Sequence, residues 1–205
     1  MATPHHPPKF VNLREYIHIT GDKLPHWNQS DCVQFVTFRL ADSLPQSKLM
    51  EYRQMREEWL RQHPKPWDKS VKDEYDNTLG FAIDKWIDAG YGGCILRDKC
   101  VRDVVADVIM NDERCDVYAL VIMPNHVHVL MTPREGNTTH AIIGSWKSVT
   151  SHLVNKLMGM KGSMWERESF DRLVRNAQDF EEYIAYIIAN PQHLPPDHFT
   201  LLIAK

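Results

Sequence analysis

Several things this chain lacks narrow what it can be. No run of apolar residues approaches the ~20 that a membrane-spanning helix requires. A hydrophobic share of 43% with 25% charged residues is ordinary for a soluble globular protein. The opening residues MATPHHPPKF lack the basic-then-apolar order of a signal peptide, so residues 1–23 read as a flexible arm and a cytoplasmic location is expected. The four cysteines, Cys32, Cys94, Cys100 and Cys115, form no CxxC pair and stand beside apolar residues. That argues against a zinc knuckle or a disulfide framework and for reduced, structural thiols. A basic excess is missing as well: 24 Lys and Arg face 27 Asp and Glu. Proteins that bind nucleic acid mainly through phosphates show such an excess on the binding face, so a partner of that kind needs a local patch here. No internal repeat or low-complexity tract is present, and 205 residues suit one domain with extras.

What is there reads as alternating strands and amphipathic helices. CVQFVTFRL (32–40) has the β-branched and aromatic enrichment of a strand, closed by the turn ADSLP. Residues 46–78 are charged and helical in their first half and proline-interrupted in the second, which predicts a helical insertion with a solvated face. RDKCVRDVVADVIMND repeats apolar residues at helical spacing. CDVYALVIMP and HVHVLMTP, separated by Pro124-Asn125, predict an antiparallel hairpin. The next segment, TTHAIIGSWKSVTSHLVNKLM, predicts a helix whose apolar stripe is Ile142, Ile143, Trp146, Val149, Leu153 and Leu157. MWERESFDRLVRN reads as irregular or short-stranded, and QDFEEYIAYIIANP as a final helix stopped by Pro191. This order predicts an α+β fold with helices packed on an antiparallel sheet. The domain spans 24–195, with residues 196–205 as a tail.

Two stretches carry candidate chemistry. In a strand, residues i and i+2 share a face, so His126 and His128 project side by side. They either donate two nitrogens to one divalent ion or form a polar pair on the exposed face of a half-buried strand. In the last helix, Phe180, Ile184, Ile187 and Ile188 form one apolar stripe with Tyr183 at its edge, while Tyr186, Asn190 and Glu182 fall together on another side. The Tyr186 hydroxyl and the Asn190 side chain can therefore address one point. The alternative is a tyrosine that packs its ring and lets the hydroxyl reach water.

VIMPNHVHVLMTP resembles the histidine–hydrophobic–histidine (HUH) motif of single-tyrosine, IS200-like transposases, and MWERESFDRLVRN followed by EEYIAYIIANP resembles the C-terminal signature of the REP-associated tyrosine transposases. GYGGCILRD, SWKSVTSHLVNKL, and LPHW with VTFRLADSLP are similar to the same group, so the resemblance covers about residues 24–45 and 80–195 in order. It implies a ferredoxin-like core with the histidine strand central and the tyrosine helix packed across it. It further implies His126, His128 and Asn190 as ligands of Mg²⁺ or Mn²⁺, and Tyr186 as nucleophile with Tyr183 its rival. The implied activity is nicking and rejoining of single-stranded hairpin DNA through a 5′-phosphotyrosine. Candidate DNA contacts are Lys147, Trp165, Arg167, Arg172 and Arg175, supplying the cations and stacking surfaces that single strands require.

A monomer is the expected state, with a dimer as the alternative. Two competing functions stay open at this point. A hairpin-binding regulatory protein predicts binding without cleavage. A metal-dependent hydrolase using water predicts activity that survives Tyr186→Phe.

Overall fold

The computed structural model describes residues 7–12, 18–20, 26–29, 31–64, 67, 69–75, 78, 79 and 81–204. Residues 1–6, 13–17 and 21–23 of the expected arm, Leu24 and Pro25 of LPHW, and residues 65, 66, 68, 76 and 77 of the expected insertion lie outside them. In chain order the elements are β1 (His18–Thr20), β2 (His26–Asn28), β3 (Gln34–Arg39), α1 (Gln46–Gln62), α2 (Lys69–Tyr75), α3 (Phe81–Asp88), α4 (Lys99–Met110), β4 (Cys115–Ile122), β5 (His126–Pro133), α5 (Thr139–Met158), β6 (Phe170–Leu173), α6 (Ala177–Ala189) and β7 (Thr200–Ile203). They fall into two compact units, residues 42–94 and the remainder. Among the described residues no helix is long and apolar enough to cross a membrane.

In the larger unit five strands stand in the order β6-β3-β5-β4-β7, each antiparallel to its neighbours. With β7 set aside, the path is strand, helix, hairpin, helix, strand, with β6 beside β3 and β5 between β3 and β4. That is the ferredoxin-like arrangement, and it makes the histidine strand β5 central. The helix starts are written locally. Asp98, Thr138 and Asn176 each accept a backbone N–H of the first turn of α4, α5 and α6, from Cys100, Ala141 and Asp179. Gly159, at φ 66°, ends α5 in the left-handed conformation that glycine adopts without a Cβ penalty.

Strand alternation divides the core. Val36, Phe38, Leu120, Val127 and Val129 face Val105, Ile142 and Trp146 of α4 and α5. The opposite face, with Phe35, Val121 and Leu130, takes Ile187, Phe180 and Tyr183 of α6. Phe10 joins this second face, its ring 6.1 Å from Phe180, so the expected arm contributes to the core at that residue. Fully burying a side chain such as Ile187 contributes on the order of 2 kcal/mol.

Two apolar stripes differ from expectation. On α5, Ile142, Ile143 and Trp146 are buried, but the stripe continues through Thr150 and Val154, leaving Val149, Leu153 and Leu157 exposed. A four-residue step drifts around the helix, and beyond Trp146 the neighbours are the segment 162–165, bonded to Thr150, Ser151 and Asn155, rather than the sheet. On α6, Ile188 is 42% exposed while Tyr183 and Tyr186 pack on the core, because the sheet covers the Tyr186 edge of that helix. Residues 196–205, expected as a tail, include the edge strand β7. The buried Arg102 anchors that end by donating to the carbonyls of Leu96, Arg97 and Asp197 and to Thr200 Oγ1.

In the smaller unit the charged helix α1 buries Tyr52 and Trp59. The Trp59 ring stacks on His63 at 4.1 Å and meets Trp67 and Tyr75, each at 5.0 Å. Arg56 Nε donates to the Tyr75 hydroxyl at 3.1 Å. An aromatic nucleus under a charged face accounts for these elements.

Candidate active site

The register of β5 against β3 sets His128 opposite Thr37 and His126 opposite Arg39. Both imidazoles are buried, at 1% and 0% exposure, and their Nε2 atoms stand 3.0 Å apart. The outer nitrogens are held as well. His126 Nδ1 lies 2.8 Å from Asn125 Oδ1, and His128 Nδ1 lies 2.8 Å from Thr37 Oγ1. Asn125 is itself fixed, since its carbonyl accepts Leu40 N–H and the turn closes through Met123 N–H to the His126 carbonyl.

These contacts form one consistent proton chain. His126 Nδ1–H donates to the Asn125 oxygen, leaving its Nε2 as an acceptor; His128 Nε2–H fills that acceptor, and the Thr37 hydroxyl donates to His128 Nδ1. Burial pushes the His126 pKa down to about 3. It pushes His128 well below its ordinary value too, with the fields of His126 and Arg172 adding to the effect. Both rings are neutral at pH 7.

Neutral, converging imidazoles with oriented outer nitrogens are what a divalent ion needs. Two nitrogens at ~2.1 Å from one ion and at right angles stand about 3 Å apart, as these do. The Thr37 hydroxyl can also accept, so His128 can carry its proton on Nδ1 and present a lone pair at Nε2 without any net change of charge. The donor pair therefore fits a metal.

Above this pair lies α6. The Tyr186 ring stands edge-on to His128 at 5.2 Å and to Phe35 at 5.8 Å. Tyr183 stacks flat on Phe35 at 4.4 Å, and Phe35 in turn stacks on His128 at 5.3 Å. Asn190 is buried, and its backbone N–H donates to the Tyr186 carbonyl, which ties it to the last turn of the same helix. Pro191 follows and turns the chain into the short 3₁₀ segment Asn190–His193. Tyr186 is thus brought to the histidine pair, while Tyr183 sits over Phe35.

The five expected DNA contacts separate. Trp165 is 3% exposed; its Nε1 donates to Thr150 Oγ1 at 2.7 Å and its ring meets Phe38 at 4.8 Å. It is a core residue and offers no stacking face, because the bridge between Leu40 and Trp165 draws it over the sheet. The Lys147 ammonium donates to the carbonyls of Glu166, Arg167 and Glu168 at 3.0–3.1 Å, and burial lowers its pKa to about 8, so it holds a loop together. Glu166 in that loop accepts from Arg39 at 3.2 Å. Arg167 and Arg175 are exposed, Arg175 with an ion pair to Asp179 at 2.6 Å. Arg172 is half-buried on β6, opposite Phe35.

Thr37, Asn125 and Phe35 were not singled out by sequence reasoning. Asn125 had a signal in its position before the first histidine, whereas Thr37 and Phe35 depend on cross-strand register.

Comparison with known proteins gives three similarities. Residues 97–190 match the family described as transposase IS200 like. A REP-associated tyrosine transposase of Escherichia coli (strain K12) is 24% identical over 83 residues, 40% of this chain and 48% of that protein. The match thus spans about half the length of that relative. A solved structure of a REP-associated tyrosine transposase bound to a REP hairpin is similar over 83% of this chain and 73% of that chain, at 16% identity and a TM-score of 0.47. The resemblance read from HUH strand and tyrosine helix is borne out over residues 97–190, where the chain is IS200-transposase-like.

Proposed function

We propose that this protein is a metal-dependent single-stranded DNA endonuclease and strand transferase, a tyrosine transposase acting beside palindromic hairpins. The observation that carries the reading is the meeting of the Tyr186 ring with the converging His126 and His128 nitrogens on one buried sheet face. Mg²⁺ or Mn²⁺ held by His126, His128 and Asn190 would supply Lewis-acid polarisation of the scissile phosphate. His126 and His128 serve by staying neutral and oriented, through Asn125 and Thr37.

Tyr186 is the nucleophile. Its oxygen bonds to phosphorus as the phosphorus–O3′ bond breaks, leaving a 5′-phosphotyrosine and a 3′-hydroxyl. The phenolic proton leaves and the 3′-oxygen takes one up, so no redox partner is involved. A second 3′-hydroxyl reverses the step and rejoins strands. A tyrosine phenol in water ionises near pH ~10, so the attacking oxygen needs positive charge nearby. The Tyr186 ring packs edge-on against Phe35 and His128, and pre-positioning of this kind is where most of the acceleration in phosphoryl transfer arises. Arg167 and Arg175 contact the DNA flanks from the surface, and the protein works as a monomer in the cytoplasm.

The test is a labelled library of single-stranded hairpin oligonucleotides incubated with Mn²⁺ and either wild type or Tyr186→Phe, run on denaturing gels. A protein-linked label that vanishes in the variant is expected. Hairpins bound with no adduct by either protein would sink the nuclease reading for those substrates. Cleavage that survives Tyr186→Phe would replace the tyrosine with water.

A further inference from the structure

We propose that Arg172 is a catalytic residue of this centre, its guanidinium contacting a non-bridging oxygen of the scissile phosphate rather than the flanking hairpin. The inference rests on the transposase reading above. Arg172 pairs with Phe35 across β3 and β6, and Phe35 pairs with Leu130 across β3 and β5. Residues directly opposite in an antiparallel ladder share a face. Leu130 shares its face with His128 and His126 by the two-residue period of β5. Arg172 therefore stands on the histidine face, two strands from β5. With strands ~4.8 Å apart and ~3.4 Å per residue, its Cα lies about 12 Å from that of His128. An extended arginine side chain covers much of that span.

Position sets this arginine apart from the other cations considered. It lies half-buried beside Phe35, the ring that also meets Tyr183, Tyr186 and His128. A guanidinium's planar fork matches two phosphate oxygens at once. As the Tyr186–phosphorus bond forms and the phosphorus–O3′ bond breaks, negative charge sits on the non-bridging oxygens, where a fixed cation stabilises the transition state more than the bound ground state.

The experiment uses the full chain with Mn²⁺ and the hairpin oligonucleotide recovered as the wild-type adduct in the library above. The rate of adduct formation at saturating oligonucleotide and the Kd from filter binding are measured for wild type, R172Q, R172K and R175Q. The oligonucleotide is used as the ordinary diester and with a methylphosphonate at the scissile position. Removing one preorganised donor costs roughly 100-fold in rate, so R172Q is expected to lose about that much while its Kd stays within about threefold. R172K is expected to recover part of the rate, and R175Q to change Kd alone. With the uncharged methylphosphonate the ratio of wild type to R172Q is expected to collapse toward one.

An R172Q rate equal to wild type would overturn the proposal. So would a loss carried entirely by Kd, or a ratio that persists on the methylphosphonate. If R172Q does not fold, R172K decides: a rate at least about fivefold lower at unchanged Kd supports the contact, and an unchanged rate refutes it. A wild type that forms no adduct with any hairpin overturns the transposase reading and this inference with it, whereas a wild-type adduct with a normal R172Q rate overturns the inference alone.

Discussion

Thr37→Val removes one hydroxyl and little else, in a place where both partners are dry. Thr37 and His128 are each at most 1% exposed, and their 2.8 Å contact is the one that sets the His128 tautomer. Valine keeps the volume but leaves His128 Nδ1 buried without its oxygen, a loss of about 1–3 kcal/mol in unfolding free energy. The same hydroxyl accepts the Nδ1 proton when Nε2 must offer a lone pair, so Mn²⁺ affinity should fall by roughly 10–100-fold, the range for the partners that orient metal-bound histidines. Urea unfolding in EDTA measures the first quantity and titration calorimetry with Mn²⁺ the second. Thr37→Ser, which retains the hydroxyl, should restore most of both. A Thr37→Val protein that is less stable yet binds Mn²⁺ as tightly as wild type would refute the tautomer argument, because only the structural half of the hydroxyl's role would survive.

Three further outcomes are expected. In the absence of metal, stability should fall as pH drops below ~6.5: the folded pKa of both histidines is depressed, so the unfolded chain takes up protons first and gains up to about 1.4 kcal/mol per pH unit per histidine. Urea unfolding at pH 7, 6 and 5 should show that slope shrinking in His126→Asn/His128→Asn, and equal slopes would contradict the neutral pair. Trp165→Phe should cost about 1–3 kcal/mol in urea unfolding by leaving Thr150 Oγ1 short of a donor, with hairpin Kd unchanged; weakened hairpin binding in a folded variant would return Trp165 to the DNA surface. Arg102→Met should cost about 3–5 kcal/mol in thermal or urea unfolding, as three carbonyls and Thr200 lose one buried donor, and a loss under about 1 kcal/mol would show that β7 is held without it.

Much of the core was legible because its signals are local. The β-branched run before Pro124, the PN turn and the stop at Pro191 each decide their element within a few residues. The shared face of His126 and His128 follows from the strand period alone. What escaped depends on neighbours far along the chain. Val149, Leu153 and Leu157 fit a helical stripe, but burial goes to Thr150 and Val154, because the segment 162–165 happens to cross there. Trp165 and Lys147 carry the residue types of a DNA surface and were turned inward by a bridge to Leu40 and by three carbonyls. Thr37 became a partner of His128 only through the register of β3 against β5. TLLI is four residues after a proline-rich turn, too short for a strand period to stand out.

The most direct measurement of the central claim is mass spectrometry of the tryptic digest of a wild-type reaction with hairpin DNA and Mn²⁺, after nuclease trimming. The account expects a nucleotide phosphate on Tyr186, in the peptide that also carries Tyr183, with fragmentation placing it on the ring beside His128. The modification on Tyr183, or on neither residue in a reaction that has cleaved its DNA, would contradict it.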